Sequence, residues 1–271
     1  MRLTWSSVGD QPDAIVPLIL RIGVAGCYIG HGAFGLMTKA AWLPYFAVGG
    51  IDAPTAWQLM PMVGLLDVCI GLLALFWPCR ALFLWALVWA VFTALLRPLA
   101  GEPFWEALER AGNYGVPLAM IALVGLKGPW WVRLTGRESG LLADQRDAVV
   151  WSLRLVTFTL LAGHAGLGLF AHKAGLGQHY AALGIADAAA AIPSVGLFEF
   201  ALAFAVLVRP GPALLLTVVG WKLATESLFL VAGASGWEVI ERFGSYTAPL
   251  ALGWLLRQPS PDTGRVVPAH Q

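Results

Sequence analysis

Residues 105–117 read WEALERAGNYGVP, and residues 237–249 read WEVIERFGSYTAP. The two stretches are identical at seven of thirteen positions and lie 132 residues apart. The identical pairs are Trp105/Trp237, Glu106/Glu238, Glu109/Glu241, Arg110/Arg242, Gly112/Gly244, Tyr114/Tyr246 and Pro117/Pro249. Such a charged phrase is conspicuous in a chain that is 58% hydrophobic and only 12% charged. Its recurrence predicts an internal duplication.

The repeat extends over most of the chain. At a shift of 132 or 133 residues, further positions match: Arg21/Arg154, Gly30/Gly163, His31/His164, Gly35/Gly168, Pro61/Pro193, Gly64/Gly196, Asp67/Glu199, Trp89/Trp221 and Thr93/Thr225. Each half carries an even number of apolar segments, so both halves would enter a membrane from the same side. We therefore predict two parallel four-helix repeats, related by a pseudo-two-fold axis along the membrane normal.

The composition indicates that lipid is the solvent of this chain. Its mean hydropathy is +0.73, and it contains 13 Trp and 13 Phe. A helix needs about 20 apolar residues to cross a bilayer, and open strand edges are not tolerated in lipid. We predict an all-α polytopic integral membrane protein with eight transmembrane helices, near Ala14–Met37, Trp57–Phe76, Ala81–Pro98, Asn113–Leu126, Val149–Ala171, Ile192–Val208, Ala213–Val231 and Ser245–Leu256.

The polar connections divide the chain into four parts. We predict a first four-helix repeat at 1–126, a cytoplasmic linker at 127–148, a second repeat at 149–257 and a disordered tail at 258–271. Basic residues are more numerous on the predicted side of both termini, with Arg2, Arg80, Lys127, Arg133, Arg137, Arg146, Arg209, Arg257 and Arg265 opposite Lys39, Arg97, Arg110, Lys173 and Arg242. The positive-inside rule then predicts cytoplasmic termini in a cytoplasmic (inner) membrane, with the two repeated phrases outside.

Several function classes are disfavoured by the sequence. A net charge of +1 argues against a nucleic-acid partner, which needs a basic excess. Cys27, Cys69 and Cys79 form no CxxC pair, so no thiol redox centre is expected. We expect no metal site: no HExxH motif is present, and the glycines near His172 and His179 predict a loop there.

Ionisable residues inside predicted spans are the first candidates for a ligand site, since they are costly in lipid. They are His31, Asp67, His164, Glu199, Lys222 and Glu226, and Arg97 lies at the outer end of its span. Each His matches an acid of its own half in depth. The alternative is a purely structural role, with each pair holding the helices in register. The first half has Ala90 and Ala94 in place of Lys222 and Glu226, so we expect the more elaborate site in the second half.

The repeated phrase supplies a second set of candidates, an outer-side charged cap. Its residues are Glu106, Glu109, Arg110, Glu238, Glu241 and Arg242. One interpretation is a solvated interfacial cap anchored by Trp. The other is a charged lid over the His–acid pair of its own half. Glu106 and Arg110 are four residues apart and could form an ion pair on a helix.

The order of these features resembles the DoxX-like family of four-helix membrane proteins, which includes the DoxD-type quinone-reducing subunits, here as two tandem copies. The residues that carry the resemblance are Arg21, Gly30-His31-Gly32, Lys39, Gly49-Gly50, Pro61, Gly64, Asp67 and Gly71-Leu72-Leu73, with Arg154, Gly163-His164, Lys173, Gly184, Gly196 and Glu199 in the second half. The chain departs from the pattern at Asp67, where a Glu is expected, and at Ala165, where a Gly is expected. The resemblance implies a link to redox or quinone chemistry and supplies no catalytic mechanism.

Three function classes follow from these residues. The first is a redox-associated subunit that binds a quinone-like molecule in an outer-leaflet pocket, where His31 or His164 hydrogen-bonds a carbonyl. A haem held by a transmembrane His is the open variant. The alternatives are a proton-coupled small-molecule transporter and a non-catalytic scaffold. Whether the protein is an enzyme stays open. The expected partners are the lipid bilayer and another membrane or redox subunit.

Overall fold

The computed structural model describes residues 15–134 and 143–258, and all regular elements within these ranges are helical. The all-α prediction is confirmed. The helices are α1 (Ile15–Leu36), α2 (Leu43–Val48), α3 (Ala53–Phe76), α4 (Arg80–Leu99), α5 (Trp105–Glu109), α6 (Ala111–Val124), α7 (Ala143–Leu169), α8 (Ala174–Ala182), α9 (Ala188–Val208), α10 (Pro212–Val231), α11 (Trp237–Ile240) and α12 (Phe243–Arg257). The predicted tail lies almost wholly outside the described residues.

Six helices are long and apolar enough to cross a membrane, namely α1, α3, α4, α7, α9 and α10. They indicate a membrane protein. The fourth and eighth predicted spans correspond to α6 and α12, which have only 14 and 15 residues. The reason is a break at Arg110 and at Arg242, which separates each of them from the short helix before it. Eight membrane spans therefore stay a prediction.

The short helices α6 and α12 occupy the centre of the bundle. Nine of the 14 residues of α6 and ten of the 15 residues of α12 are buried, including Val116, Met120, Leu252 and Leu255. The outer helices, in contrast, expose large apolar side chains: Met62, Leu65, Trp85, Phe92, Leu197, Phe204 and Leu216. Large apolar side chains on the outside of a helical bundle are expected when its outer surface faces lipid.

Helices α2, α5, α8 and α11 all lie at one end of the bundle, because they connect the long helices there. We call this end the capped end. The turn between α3 and α4, the turn between α9 and α10, and the described part of the connection before α7 lie at the opposite end.

Two boundaries differ from the sequence prediction. Helix α7 begins at Ala143, inside the predicted linker, and Arg146 in its first turns donates to the backbone carbonyl of Leu255 at 2.6 Å. The predicted loop near His179 is helix α8 instead. Leu176 and Tyr180 lie on one face of α8 and are buried against Leu167. That burial outweighs the cost of about 1 kcal/mol for each glycine within the helix.

Candidate functional site

The first predicted pair, His31 and Asp67, is brought together between α1 and α3. His31 Nδ1 lies 2.8 Å from Asp67 Oδ2, and Trp89 Nε1 on α4 donates to Asp67 Oδ1 at 2.9 Å. Asp67 is completely buried, so both of its oxygens have a partner where water is excluded. Three helices are joined through one carboxylate.

The second half repeats this arrangement between α7, α9 and α10. His164 Nδ1 lies 2.6 Å from Glu199 Oε2, and Trp221 Nε1 donates to Glu199 Oε1 at 2.8 Å. Neither Trp89 nor Trp221 was singled out as a site residue from the sequence. Their identity at the repeat shift of 132 residues was the signal that could have found them.

The partner of Nδ1 decides which nitrogen of His31 is available to a ligand. A neutral imidazole that donates Nδ1–H to a carboxylate presents Nε2 as an acceptor, and a protonated one presents it as a donor. His31 also stacks on Trp42, with ring centroids 4.5 Å apart. The carboxylate and the indole thus fix the ring and leave Nε2 for chemistry.

A cavity of about 540 Å³ opens beside His31, between α1, α2, α3, α4 and α6. Its size falls within the ordinary range of small-molecule sites, and its wall is mostly apolar. The wall residues that carry the argument below are Tyr28, His31, Tyr45, Trp89, Ala90, Ala94, Arg97, Arg110 and Asn113.

Arg97 closes the cavity toward the capped end. Its Nη1 donates to Tyr45 at 3.0 Å and to Glu102 Oε2 at 3.2 Å, and the Tyr45 hydroxyl also donates to Glu102. Burial raises the pKa of Tyr45 to about 12, so its hydroxyl keeps its proton at physiological pH. The predicted candidate Arg97 therefore lines the site, held in place by two neighbours.

The second half differs at the corresponding part of α10. Lys222 and Glu226 take the positions that Ala90 and Ala94 hold on the cavity wall, and both are almost completely buried. Lys222 Nζ lies 2.6 Å from Glu226 Oε1. We expected the more elaborate site in the second half. The charged groups are there, but the described cavity lies in the first half, where the small alanines leave room.

Five of the six residues of the predicted charged cap are buried in the structure, and Glu238 is partly buried. Arg110 Nη1 lies 3.1 Å from Glu241 Oε1, and Arg242 Nη1 lies 2.8 Å from the same oxygen. Arg110 Nε lies 3.4 Å from Glu109 Oε2. Burial opposes ionisation of Glu109 and Glu241, but the two guanidinium groups overcome it and hold the pKa of both carboxyl groups well below the ordinary value. The solvated-cap interpretation is therefore wrong.

Each short helix of the cap packs on the other half of the chain. A Cβ on Gly30 would collide with the backbone of Glu241, which directly follows α11, and a Cβ on Gly163 would collide with the backbone of Glu109, the last residue of α5. Helix α5 contacts α7 and α11 contacts α1, so each short helix packs on the other half, but α5 also contacts α4 and Arg110 lines the cavity of its own half. The interpretation as a lid over the same half therefore stays a prediction. The glycines are needed for this close approach.

Two ion pairs also join a glutamate of one half to a lysine of the other half. Lys39 Nζ lies 2.7 Å from Glu238 Oε1, and Lys173 Nζ lies 2.5 Å from Glu106 Oε1. In the second half, Arg242 Nη1 donates to Glu238 Oε2 at 2.9 Å, four residues away. Arg110 instead pairs with Glu109 and Glu241, so the expected pair between Glu106 and Arg110 does not form.

No protein-family model matches the chain, and no curated protein and no solved structure shows detectable similarity to it. The resemblance to the DoxX-like family rests on the quoted residues alone.

Proposed function

We propose that this protein is a redox-associated membrane protein that binds a quinone-like molecule in the first-half cavity. The observation that carries the proposal is the setting of His31, whose Nδ1 is 2.8 Å from buried Asp67 while its ring lines a cavity of about 540 Å³. Through Nε2, a His oriented in this way accepts from the hydroxyl of a quinol when its ring is neutral, and donates to the carbonyl of a quinone when its ring is protonated.

The wall of the cavity fits a flat, amphipathic ligand. Tyr28, Trp42 and Trp89 supply aromatic surface, and His31, Arg97 and Arg110 supply polar groups at one end. Met62, Phe92 and Leu99 line the cavity and are also 66%, 50% and 67% exposed on the outside of the bundle. A ligand with an apolar tail could thus extend from the cavity into lipid.

The proposal includes the architecture predicted from the sequence. In it, α6 and α12 complete two parallel four-helix repeats of the DoxX-like type, both termini are cytoplasmic, and the capped end lies in the outer leaflet of the inner membrane. Equivalent hydrogen bonds in the two halves support the two-repeat architecture. For example, Arg21 donates to the carbonyls of Ala74 and Leu75, and Arg154 donates to those of Val206 and Val208.

The test is binding of decylubiquinone, a benzoquinone with a decyl tail, to the purified protein, together with analysis of its organic extract for quinone. His31→Ala should weaken binding by roughly threefold to tenfold, the value of one hydrogen bond. His164→Ala is the matched control, because His164 makes the same carboxylate contact but does not line the cavity. A wild-type protein that neither contains quinone nor binds decylubiquinone contradicts the proposal.

Proton-coupled transport is the second candidate, and the buried Lys222–Glu226 pair favours it. Ionisable groups deep in a membrane protein commonly belong to proton or substrate pathways. Transport predicts substrate-dependent proton flux into liposomes that is lost in Lys222→Met. Quinone binding alone predicts no such flux.

A further inference from the structure

The faces of α4 and α10 that look into the two halves match residue by residue. Trp89 and Trp221 donate to the central acid of their half at 2.9 and 2.8 Å. One turn on, Thr93 donates to the carbonyl of Ala90 at 3.1 Å, and Thr225 donates to that of Lys222 at 3.2 Å. Positions 94 and 226 therefore occupy equivalent places.

In the second half, position 226 provides an anion for an arginine. Glu226 Oε2 lies 2.9 Å from Arg242 Nε, and both side chains are almost completely buried. The carboxylate of Glu226 therefore fills the space beside the guanidinium group of Arg242.

In the first half, the equivalent arginine lacks this anion. Arg110 corresponds to Arg242, and Ala94 stands where Glu226 would be. The Nε atoms of Arg110 and Arg242 are both buried without a well-aligned hydrogen bond within the described part of the chain. Arg242 Nε nevertheless has the Glu226 carboxylate at 2.9 Å, whereas Arg110 Nε has Glu109 Oε2 at 3.4 Å, and Arg110 lines the cavity while Arg242 does not. A buried donor without a hydrogen bond is costly unless a ligand completes it.

We infer that the ligand of the first-half cavity presents a carbonyl or anionic oxygen to Arg110, in the place that Glu226 takes beside Arg242. The inference rests on the proposed function and deepens it, because it assigns the acceptor oxygen of the ligand to a second protein group besides His31. Asn113, which follows Arg110 by three residues, lines the same cavity.

The difference between the two halves also predicts the number of ligands that one chain binds. Within the described residues, the cavity of about 540 Å³ lies in the half with alanines at positions 90 and 94, whereas the side chains of Lys222 and Glu226 fill the equivalent positions of the other half. One chain therefore binds one ligand.

The experiment compares two probes that share a six-membered ring with a decyl tail, decylubiquinone and decylbenzene; decylbenzene lacks the carbonyl and methoxy oxygens and the ring methyl group. Arg110→Lys keeps the positive charge that Glu241 needs but removes the Nε donor. It should weaken decylubiquinone binding by on the order of tenfold or more, since a charged donor is lost, and should leave decylbenzene binding within about twofold. Equal weakening of both probes, or of neither, overturns the inference.

A second variant keeps the inference testable if Arg110→Lys does not fold. Ala94→Glu should place a carboxylate in front of Arg110, raise the thermal midpoint and abolish decylubiquinone binding. Ala94→Gln is the matched control of the same size, and it should fill the cavity without the gain in midpoint. Equal midpoints for the two variants would refute the assignment of the acceptor site.

The two proposals fail differently. A wild-type protein that does not bind decylubiquinone contradicts the proposed function. Wild-type binding that is insensitive to both Arg110→Lys and Ala94→Glu contradicts only the role of Arg110. Binding of two equivalents of decylubiquinone per chain would contradict the stoichiometry.

Discussion

Gly112 and Gly244 stand directly against each other where α6 crosses α12. A Cβ built on Gly112 would lie 2.7 Å from the backbone carbonyl carbon of Gly244, and one on Gly244 would collide with the carbonyl oxygen of Gly112. The two glycines close the repeated phrases WEALERAG and WEVIERFG. The phrase recurs because the same helix crossing needs both copies: each contributes one glycine to the centre of the bundle.

Replacing this glycine should destabilise the bundle strongly. In Gly244→Ala the added methyl group meets backbone atoms, which cannot rotate away, so we expect a loss of about 1–3 kcal/mol. Gly220→Ala in α10 is the control, because no atom lies within 4 Å of its added Cβ. The control should be neutral or more stable by up to about 1 kcal/mol, since alanine favours helix. Thermal unfolding in detergent checks both, and equal midpoints would contradict the crossing.

The helices were readable from the sequence because long apolar runs between Pro and Gly have few alternatives in lipid. All eight predicted segments contain a helix, from Ala14–Met37, where α1 covers Ile15–Leu36, to Ser245–Leu256, where α12 covers Phe243–Arg257. Helix α8 was missed because its stability comes from burial of Leu176 and Tyr180, a tertiary effect that the local glycines conceal.

The exchange of the short helices between the halves was not predictable from either repeat alone. Glu106 meets Lys173 and Glu238 meets Lys39, but identical pairings within one half fit the sequence equally well. The half that holds the cavity was not predicted, for another reason. We expected the more elaborate site in the second half because of Lys222 and Glu226, whereas the useful signal was the small size of Ala90 and Ala94 in the first half.

Breaking the Lys222–Glu226 pair on one side should be worse than removing it. Lys222→Met leaves the Glu226 carboxylate buried with Arg242 as its remaining partner, and losing one member of a buried pair costs about 3–5 kcal/mol. The double variant Lys222→Met/Glu226→Gln removes both charges and should recover a large part of that loss. Unfolding midpoints of the two single variants and the double variant give the coupling between the two residues. Additive losses would show that the pair does not act as a unit.

Acid should destabilise the protein through the charged cap. The folded-state pKa of Glu109 lies below the ordinary value of 4.5, because the neighbouring Arg110 and Arg242 outweigh the effect of burial. The stabilisation from the ionised carboxylate is therefore present above pH 4.5 and is lost as the pH falls from that value toward the lowered pKa of the folded protein.

The measurement is the thermal midpoint from pH 7 down to about pH 3, for wild type and Glu109→Gln. Glu109→Gln should be less stable at pH 7, because two buried guanidinium groups lose an anion. It should also show a smaller fall in midpoint below pH 4.5 than wild type. Parallel pH profiles for the two proteins would show that Glu109 titrates normally.

Cysteine labelling in intact cells should place the capped end outside. Ser235 lies in the connection before α11 at the capped end, and Arg209 lies between α9 and α10 at the opposite end; both are exposed. In a background with Cys27, Cys69 and Cys79 replaced by alanine, Ser235→Cys should react with a membrane-impermeant maleimide in intact cells. Arg209→Cys should react only after lysis, because the excess of basic residues at its end is retained in the cytoplasm. The reverse pattern would invert the topology and move the His31 cavity to the inner leaflet, where a ligand would reach it from the cytoplasmic side.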